Sequence, residues 1–308
     1  MENSIGAGSG LGSLVDVKTR LLICSRDTVF YNTAQHLTRV LAPLGKSAKS
    51  FILDSSEFCK KLCEISDPGP IVSYDVVDLF TNVPREEALL ALRQRLNNLD
   101  DPLDTSLTID SIISLTSASI DSTYFTWGED IFEQIHGLPM GSPLSPILSE
   151  IYLTDLEEKA LLTSFVKPMC WHRKVDDTFV ILHPGQDPDQ LLQHLNNQHQ
   201  RIKFTMEPET NNKLPFLDVL VSRTPTNTFQ TTVYRKPTHT NQYVNYQSNH
   251  PPQVKAGIIS TLTRRAKNIC SINRQEEINH LKEAFIDHND YPPQLVNKTI
   301  SQLVSQHQ

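Results

Sequence analysis

Three acidic residues stand where acids are costly or conspicuous. Asp75 lies inside the apolar, β-branched run IVSYDVV, and the adjacent pair Asp176-Asp177 separates VKPMCWHRKV from TFVIL. An unpaired carboxylate buried in a strand costs several kcal/mol. Two neighbouring acids at the apex of a hairpin repel each other, and a bound cation relieves that repulsion. Hard carboxylate oxygens gathered from separate strands are the ligands that ions such as Mg²⁺ demand. Two such ions, ~4 Å apart, serve phosphoryl transfer by holding nucleophile, phosphorus and leaving group in line and by neutralising charge. Alone, a single Asp reads as a cap or turn residue and an Asp-Asp pair as a solvated hairpin. Their combination along one chain narrows the choice.

The elements that must position these acids follow from periodicity and punctuation. Val29, Leu37, Val40 and Leu41 fall mostly at helical spacing between Thr28 and Leu44. SSEFCKKLCEIS predicts a second helix with Ser55 or Ser56 as N-cap. After the break Asp67-Pro68-Gly69-Pro70, IVSYDVV reads as a buried strand, and Pro84 opens the amphipathic helix REEALLALRQRL. Residues 123–135 predict a hairpin turning at Gly128-Glu129-Asp130. Pro146 begins a helix with Ile147, Leu148, Ile151, Tyr152 and Leu156 on one side, and a second hairpin turns at Val175–Asp177. A helix over 188–198, a strand over 202–206 and one strand over 214–222 come next, then helices over 254–269, 275–288 and 293–304. The fold class is α+β to about residue 235, followed by a small helical domain, with a Gly/Ser-rich and disordered 1–14.

Composition sets the outer bounds. The 308 residues are 38% apolar and 20% charged, as in ordinary globular proteins. No run approaches twenty apolar residues, which argues against a membrane span. The N-terminus lacks a basic-then-apolar signal, and five cysteines without zinc-like pairing predict a reduced, intracellular setting. The eleven histidines show no ligand spacing. A net charge of −7 counts mildly against a nucleic-acid partner, yet residues 231–308 carry nine Lys or Arg against five Asp or Glu.

The ordered combination resembles a known family. SYDVVDLFTNVP looks like motif A of reverse transcriptases, GLPMGSPLSPILSEIYL like motif B and KVDDTFVIL like motif C. RIKFTMEPE, LPFLDVLVSR, YRKPTHTNQYVNYQSNHP and RRAKNIC extend the likeness, over roughly residues 20–300, to the Penelope-like retroelement group in particular. The resemblance implies a right-hand polymerase palm, an antiparallel sheet backed by helices, over 71–235. It also implies partial fingers over 15–70 and a helical thumb over 236–308. Asp75, the Val76 backbone, Asp176 and Asp177 would hold two Mg²⁺ or Mn²⁺ ions. The backbone of Val76, Val77, Asp78 and Leu79, with Met140, Gly141 and Arg20, would contact the incoming deoxynucleoside triphosphate. Phe80 would be the steric gate against a ribose 2′-OH. Lys213 would protonate pyrophosphate, its competing reading being a solvated loop lysine. Gly137, Pro139 and Ser142 would support the template. Arg264, Arg265 and Lys267 would face the primer–template backbone, or else a solvated helix face. The partners are an RNA or DNA template with its primer, and a nucleus-acting retroelement is the implied context.

Two departures matter. Lys174 stands where motif C usually has an aromatic residue, and a lysine there predicts pairing with the carboxylates in competition with metal. The upstream fingers and a C-terminal endonuclease domain are not represented in the sequence, which fits a fragment or a decayed element. The alternative to an RNA-directed DNA polymerase is therefore a remnant that keeps the palm and at most binds nucleic acid. A metal-dependent nuclease lacks a further acid cluster.

Overall fold

The computed structural model describes residues 25–65 and 68–305, and Arg20 lies outside them. Ten helices and nine strands are described there. Helix α1 (Tyr31–Lys46) buries Leu37, Val40, Leu41 and Leu44 along one stripe. Helix α2 (Ser55–Cys63) is capped by Asp54, not by a serine: the Asp54 carboxylate accepts from the Glu57 amide at 2.9 Å. Strand β1 (Ile71–Val76) leads through α3 (Leu79–Asn82) into α4 (Arg85–Asn97) and α5 (Ile109–Asp121). The last was not legible from periodicity. The hairpin β2 (Tyr124–Trp127) and β3 (Asp130–Glu133) precedes α6 (Ser145–Thr163).

Strands β4 (Cys170–Lys174) and β5 (Asp177–Ile181), helix α7 (Pro188–Asn196) and strand β6 (Phe204–Pro208) complete an antiparallel sheet ordered β4-β5-β1-β6. A second sheet is ordered β7 (Lys213–Phe216), β8 (Val219–Arg223), β9 (Phe229–Val233). The single strand expected over 214–222 is thus two, folded at Leu217-Asp218 with Leu217 at φ +55°. No glycine or asparagine marks that turn, which is why the sequence reads as continuous.

Alternation along the strands gives the first sheet two different faces. Val72, Tyr74, Val76, Trp171, Val180 and Phe204 join the core beneath α1, α4 and α6. Ile71, Phe179 and Ile181 face the other way, into a second core with Leu214, Phe216, Val219 and α2. Helices α8 (Pro252–Ile269), α9 (Arg274–Asn289) and α10 (Pro293–Val304) form a third core around Ile259, Leu281, Phe285 and Val296. No helix among the described residues is long and apolar enough to cross a membrane.

Candidate active site

The second core covers only one end of its sheet face. At the other end of that face the residues turn acidic. Antiparallel register places Asp75 of β1 opposite Asp177 of β5, Thr205 opposite Asp75 on the far side, and Lys174 opposite Asp177. Directly opposed side chains lie on one face with Cβ atoms about 5 Å apart. Asp176 occupies the two-residue turn between β4 and β5, and its carbonyl accepts from the Val76 amide at 3.3 Å. Asp75 and the pair Asp176-Asp177, about 100 residues further along the chain, therefore share one end of the sheet.

Asp75 is exposed, which corrects the expectation of a buried carboxylate. The run IVSYDVV looks continuously apolar, but its even-numbered residues enter the core and Ser73 and Asp75 point away from it. Asp177 is half-buried. Burial, together with Asp176 and Asp75, pushes its carboxyl up to about 6, and Lys236 partly opposes this while Glu207 adds to it. Neither Glu207 nor Lys236 was recognised in the sequence, because Lys236 reaches this end only through the second sheet. Among the described residues no three His, Cys, Asp or Glu side chains converge closely enough to form a metal-ligand group. The carboxylates form an open row whose hard oxygens suit Mg²⁺ or Mn²⁺ in kind, and a cation would have to draw them together.

A raised carboxyl is a stability cost with a definite sign. An unfolded aspartate titrates near 4, so the native state binds the Asp177 proton more tightly and loses stability as pH rises from about 4 to about 6. Asp177→Asn should stabilise the metal-free protein at pH 7 by ~1 kcal/mol, after discounting for solvent screening, and leave it unchanged near pH 4. Thermal melts at the two pH values check this.

The turn that carries Asp176 is strained. Val175 has φ +62°, a left-handed backbone that a β-branched residue rarely adopts. Its carbonyl accepts from Arg173 Nη1 at 3.2 Å. Arg173 is fully buried and also donates to Glu150 of α6 at 2.8 Å, to Glu157 at 2.9 Å and to Thr154 Oγ1 at 2.9 Å. Burial raises both glutamates despite the guanidinium. Lys174 does not pair with the carboxylates: Nζ donates to the Leu53 carbonyl at 2.6 Å and lies over the Phe51 ring. Its side chain is drawn off the acid row by the neighbouring segment 51–53.

Beyond Asp75 the chain turns sharply. The Val77 amide donates to the Lys203 carbonyl at 2.9 Å, and Asp78 at φ +45° starts α3. Phe80 is half-buried against the first core. Its carbonyl accepts from the Leu138 amide at 2.6 Å, which locks the loop 137–142 onto α3. Gly137 is required there: φ is +73°, and a Cβ would meet Thr81 O at 2.5 Å and Phe80 O at 2.6 Å. Arg85 holds the same loop through the Gly137 and Gln134 carbonyls at 2.7 and 2.6 Å. Gly137→Ala should displace the loop and lower stability by ~2 kcal/mol, read as a fall in melting temperature.

Other expected site residues are less favourably placed. Pro139 and Ser142 are buried with Gly137, and Ser145 Oγ donates to the Pro139 carbonyl at 2.6 Å, so they shape the loop while Met140 and Gly141 reach its surface. Lys213 opens β7 beside the Ile71 end of β1, since Glu209 N bonds Ile71 O and Thr210 pairs with Lys213. That is four residues along the strand from Asp75, or ~13 Å, too far for a proton donor at the acid row. Arg264, Arg265 and Lys267 do not form one basic face. Arg265 lies 3.5 Å from Asp218, Lys267 donates to the Leu303 carbonyl of α10, and Arg264 is exposed.

Among known proteins, residues 242–301 match the animal helix-turn-helix domain family, which corresponds to the third core. No curated protein matches the chain. Solved structures do. Telomerase from Candida albicans, in complex with a fragment of telomeric RNA, aligns at TM-score 0.62 and 14% identity over 92% of this chain and 48% of its own. The RNA-dependent RNA polymerase of a human picobirnavirus, as an insertion-loop deletion mutant, aligns at 0.54 and 12% identity over 86% and 52%. Sicinivirus 3Dpol RNA-dependent RNA polymerase aligns at 0.51 and 13% over 82% and 54%. The chain spans about half the length of these polymerases. Its mixed helices and antiparallel sheets, with the acid row at one end of a sheet, take the right-hand polymerase fold.

Proposed function

We propose that this chain is the palm and thumb part of a reverse transcriptase of the Penelope-like retroelement group, adding deoxynucleotides to a primer on an RNA template. The observation that carries the reading is the register of β1 against β5, which sets Asp75 beside Asp177 with Asp176 in the adjoining turn. Residues 71–235 would be the palm, 236–308 the thumb, and 15–70 part of the fingers. An intracellular, nuclear site of action follows from the retroelement reading.

Asp75, Asp176, Asp177 and the Val76 carbonyl would hold two divalent ions. When bound, such ions supply Lewis-acid stabilisation of the transferring phosphoryl group and activate the primer 3′-OH. The chain's own residues supply position. The backbone of Val77, Asp78 and Leu79, fixed by the Val77–Lys203 bond and by Asn82 Nδ2 on the Val77 carbonyl, would line the triphosphate. Phe80, pinned through its carbonyl by Leu138, would exclude a 2′-OH. Met140 and Gly141 would meet the base and template.

A second reading is favoured by the open carboxylate row: a palm that binds nucleic acid without chemistry. Primer extension on an RNA template with Mg²⁺ or Mn²⁺ separates the two. Incorporation that Asp176→Ala abolishes supports the polymerase. Binding of primer–template without incorporation supports the second reading.

A further inference from the structure

The hairpin β2–β3 is the part of the molecule that the proposed chemistry leaves unused. Among the described residues its strands pair only with each other, Phe125 opposite Phe132 and Thr126 opposite Ile131. At its base the Gln134 amide donates to the Thr123 carbonyl and Arg85 grips the Gln134 carbonyl, which ties it to α4. Beyond that anchor the outer backbone edge of neither strand has a sheet partner among the described residues. A lone two-stranded hairpin is marginal in water, and unpaired edges are templates for a further strand.

Several of its large apolar side chains are exposed. Tyr124 is 62% exposed, Ile131 74%, Phe132 40% and Ile135 72%. Parity puts Tyr124, Thr126 and Ile131 on one face, with Ile135 following in phase. Phe125 and Phe132 stack on the other, centroids 5.5 Å apart. Large apolar side chains left exposed together on one small element mark an interaction site.

The surrounding charge selects the partner. The hairpin segment 122–135 contains no Lys or Arg. It carries three acids, Glu129, Asp130 and Glu133. All three are exposed, and phosphate backbones are repelled by them, since nucleic-acid affinity rests on Lys and Arg. A second copy pairing hairpin to hairpin would set the same acids against each other, at a cost. A basic polypeptide meets both the charge and the free edge.

We propose that the β2–β3 hairpin is a protein-docking edge that takes a Lys- or Arg-bearing, alternately apolar segment as a third antiparallel strand. Main-chain bonds to the free edge hold the segment, its apolar residues cover Ile131 and Tyr124 or the Phe125–Phe132 pair, and its bases meet Glu129, Asp130 and Glu133. This inference is independent of the polymerase reading.

The test uses the full chain and a fluorescent twelve-residue peptide alternating Lys with Val, beside the same peptide with Glu for Lys. Anisotropy should show saturable binding of the Lys peptide that weakens with salt, and at least about tenfold weaker binding of the Glu peptide. Hydrogen exchange of amides 124–133 should slow when the Lys peptide is bound. Ile131→Thr with Phe132→Thr, and separately Glu129→Lys with Glu133→Lys, should each weaken binding about tenfold with the melting temperature unchanged, because the hairpin stands outside the cores. Equal binding of both peptides, or exchange that does not slow, overturns the proposal. So does protection of 124–133 by single-stranded RNA, or protection that appears with protein concentration alone.

Discussion

Arg173→Met is expected to destabilise the protein by ~3–5 kcal/mol, enough to lower the melting temperature by roughly 10 °C or more. The guanidinium is fully buried and is the cation shared by Glu150 and Glu157 across the interface between β4 and α6. Removing it leaves two carboxylates in a dry interior, where each must take a proton or find water. The loss should grow as pH rises. Both glutamates already have raised pKa values, and without the cation they rise further, so the native state binds protons that the unfolded chain releases above about pH 4.5. Melts from pH 4 to pH 8 measure the slope. Adding Glu150→Gln and Glu157→Gln to Arg173→Met should recover much of the stability, because amides can be buried without charge. A triple variant as unstable as the single one refutes this account of the cluster. Arg173 also donates to the Val175 carbonyl, so the same substitution should loosen the turn that presents Asp176.

The second large effect concerns activity. Asp176→Ala and Asp75→Asn should each reduce primer extension by about 10³-fold or more, equivalent to ~4 kcal/mol of transition-state stabilisation. For Asp176→Ala stability should hold or rise slightly, since it removes one member of a mutually repelling row. The pairing of lost turnover with retained melting temperature distinguishes a chemical role from a structural one. Extension unaffected by either substitution would remove the acid row from the reaction.

Much of the local structure was legible in the sequence. IVSYDVV and the strands flanking Asp176-Asp177 declared themselves by β-branched and aromatic residues between breakers, and the helices by stripes such as Leu37, Val40 and Leu41. What stayed hidden depended on distant partners. Nothing near Arg173 announces that two glutamates sixteen and twenty-three residues upstream will close on it. Helix α5 escaped notice because its sequence, IDSIISLTSASID, replaces a charged face with serines. The turn at Leu217-Asp218 lacks the glycine or asparagine that a left-handed residue usually requires. At the candidate site the identity of the three acids was readable, but their exposure was not. The strand's apolar letters concealed that Asp75 and its neighbours alternate between a packed face and an open one. Lys174 likewise looked like a rival cation until the structure showed it drawn to Leu53 and Phe51.

The order β4-β5-β1-β6 has a kinetic consequence. Strand β1 is central and ends at Val76, yet both of its neighbours come from residues 177–208. During synthesis at ~5–20 residues per second, Ile71, Val72 and Tyr74 wait roughly five to twenty seconds before the first flanking strand emerges. Through that interval a β-prone segment is exposed with nothing to pair with, a hazard that grows with sequence separation. Asp75 sets a charge among those apolar residues, and a charge in the middle of a sticky segment discourages pairing between neighbouring nascent chains.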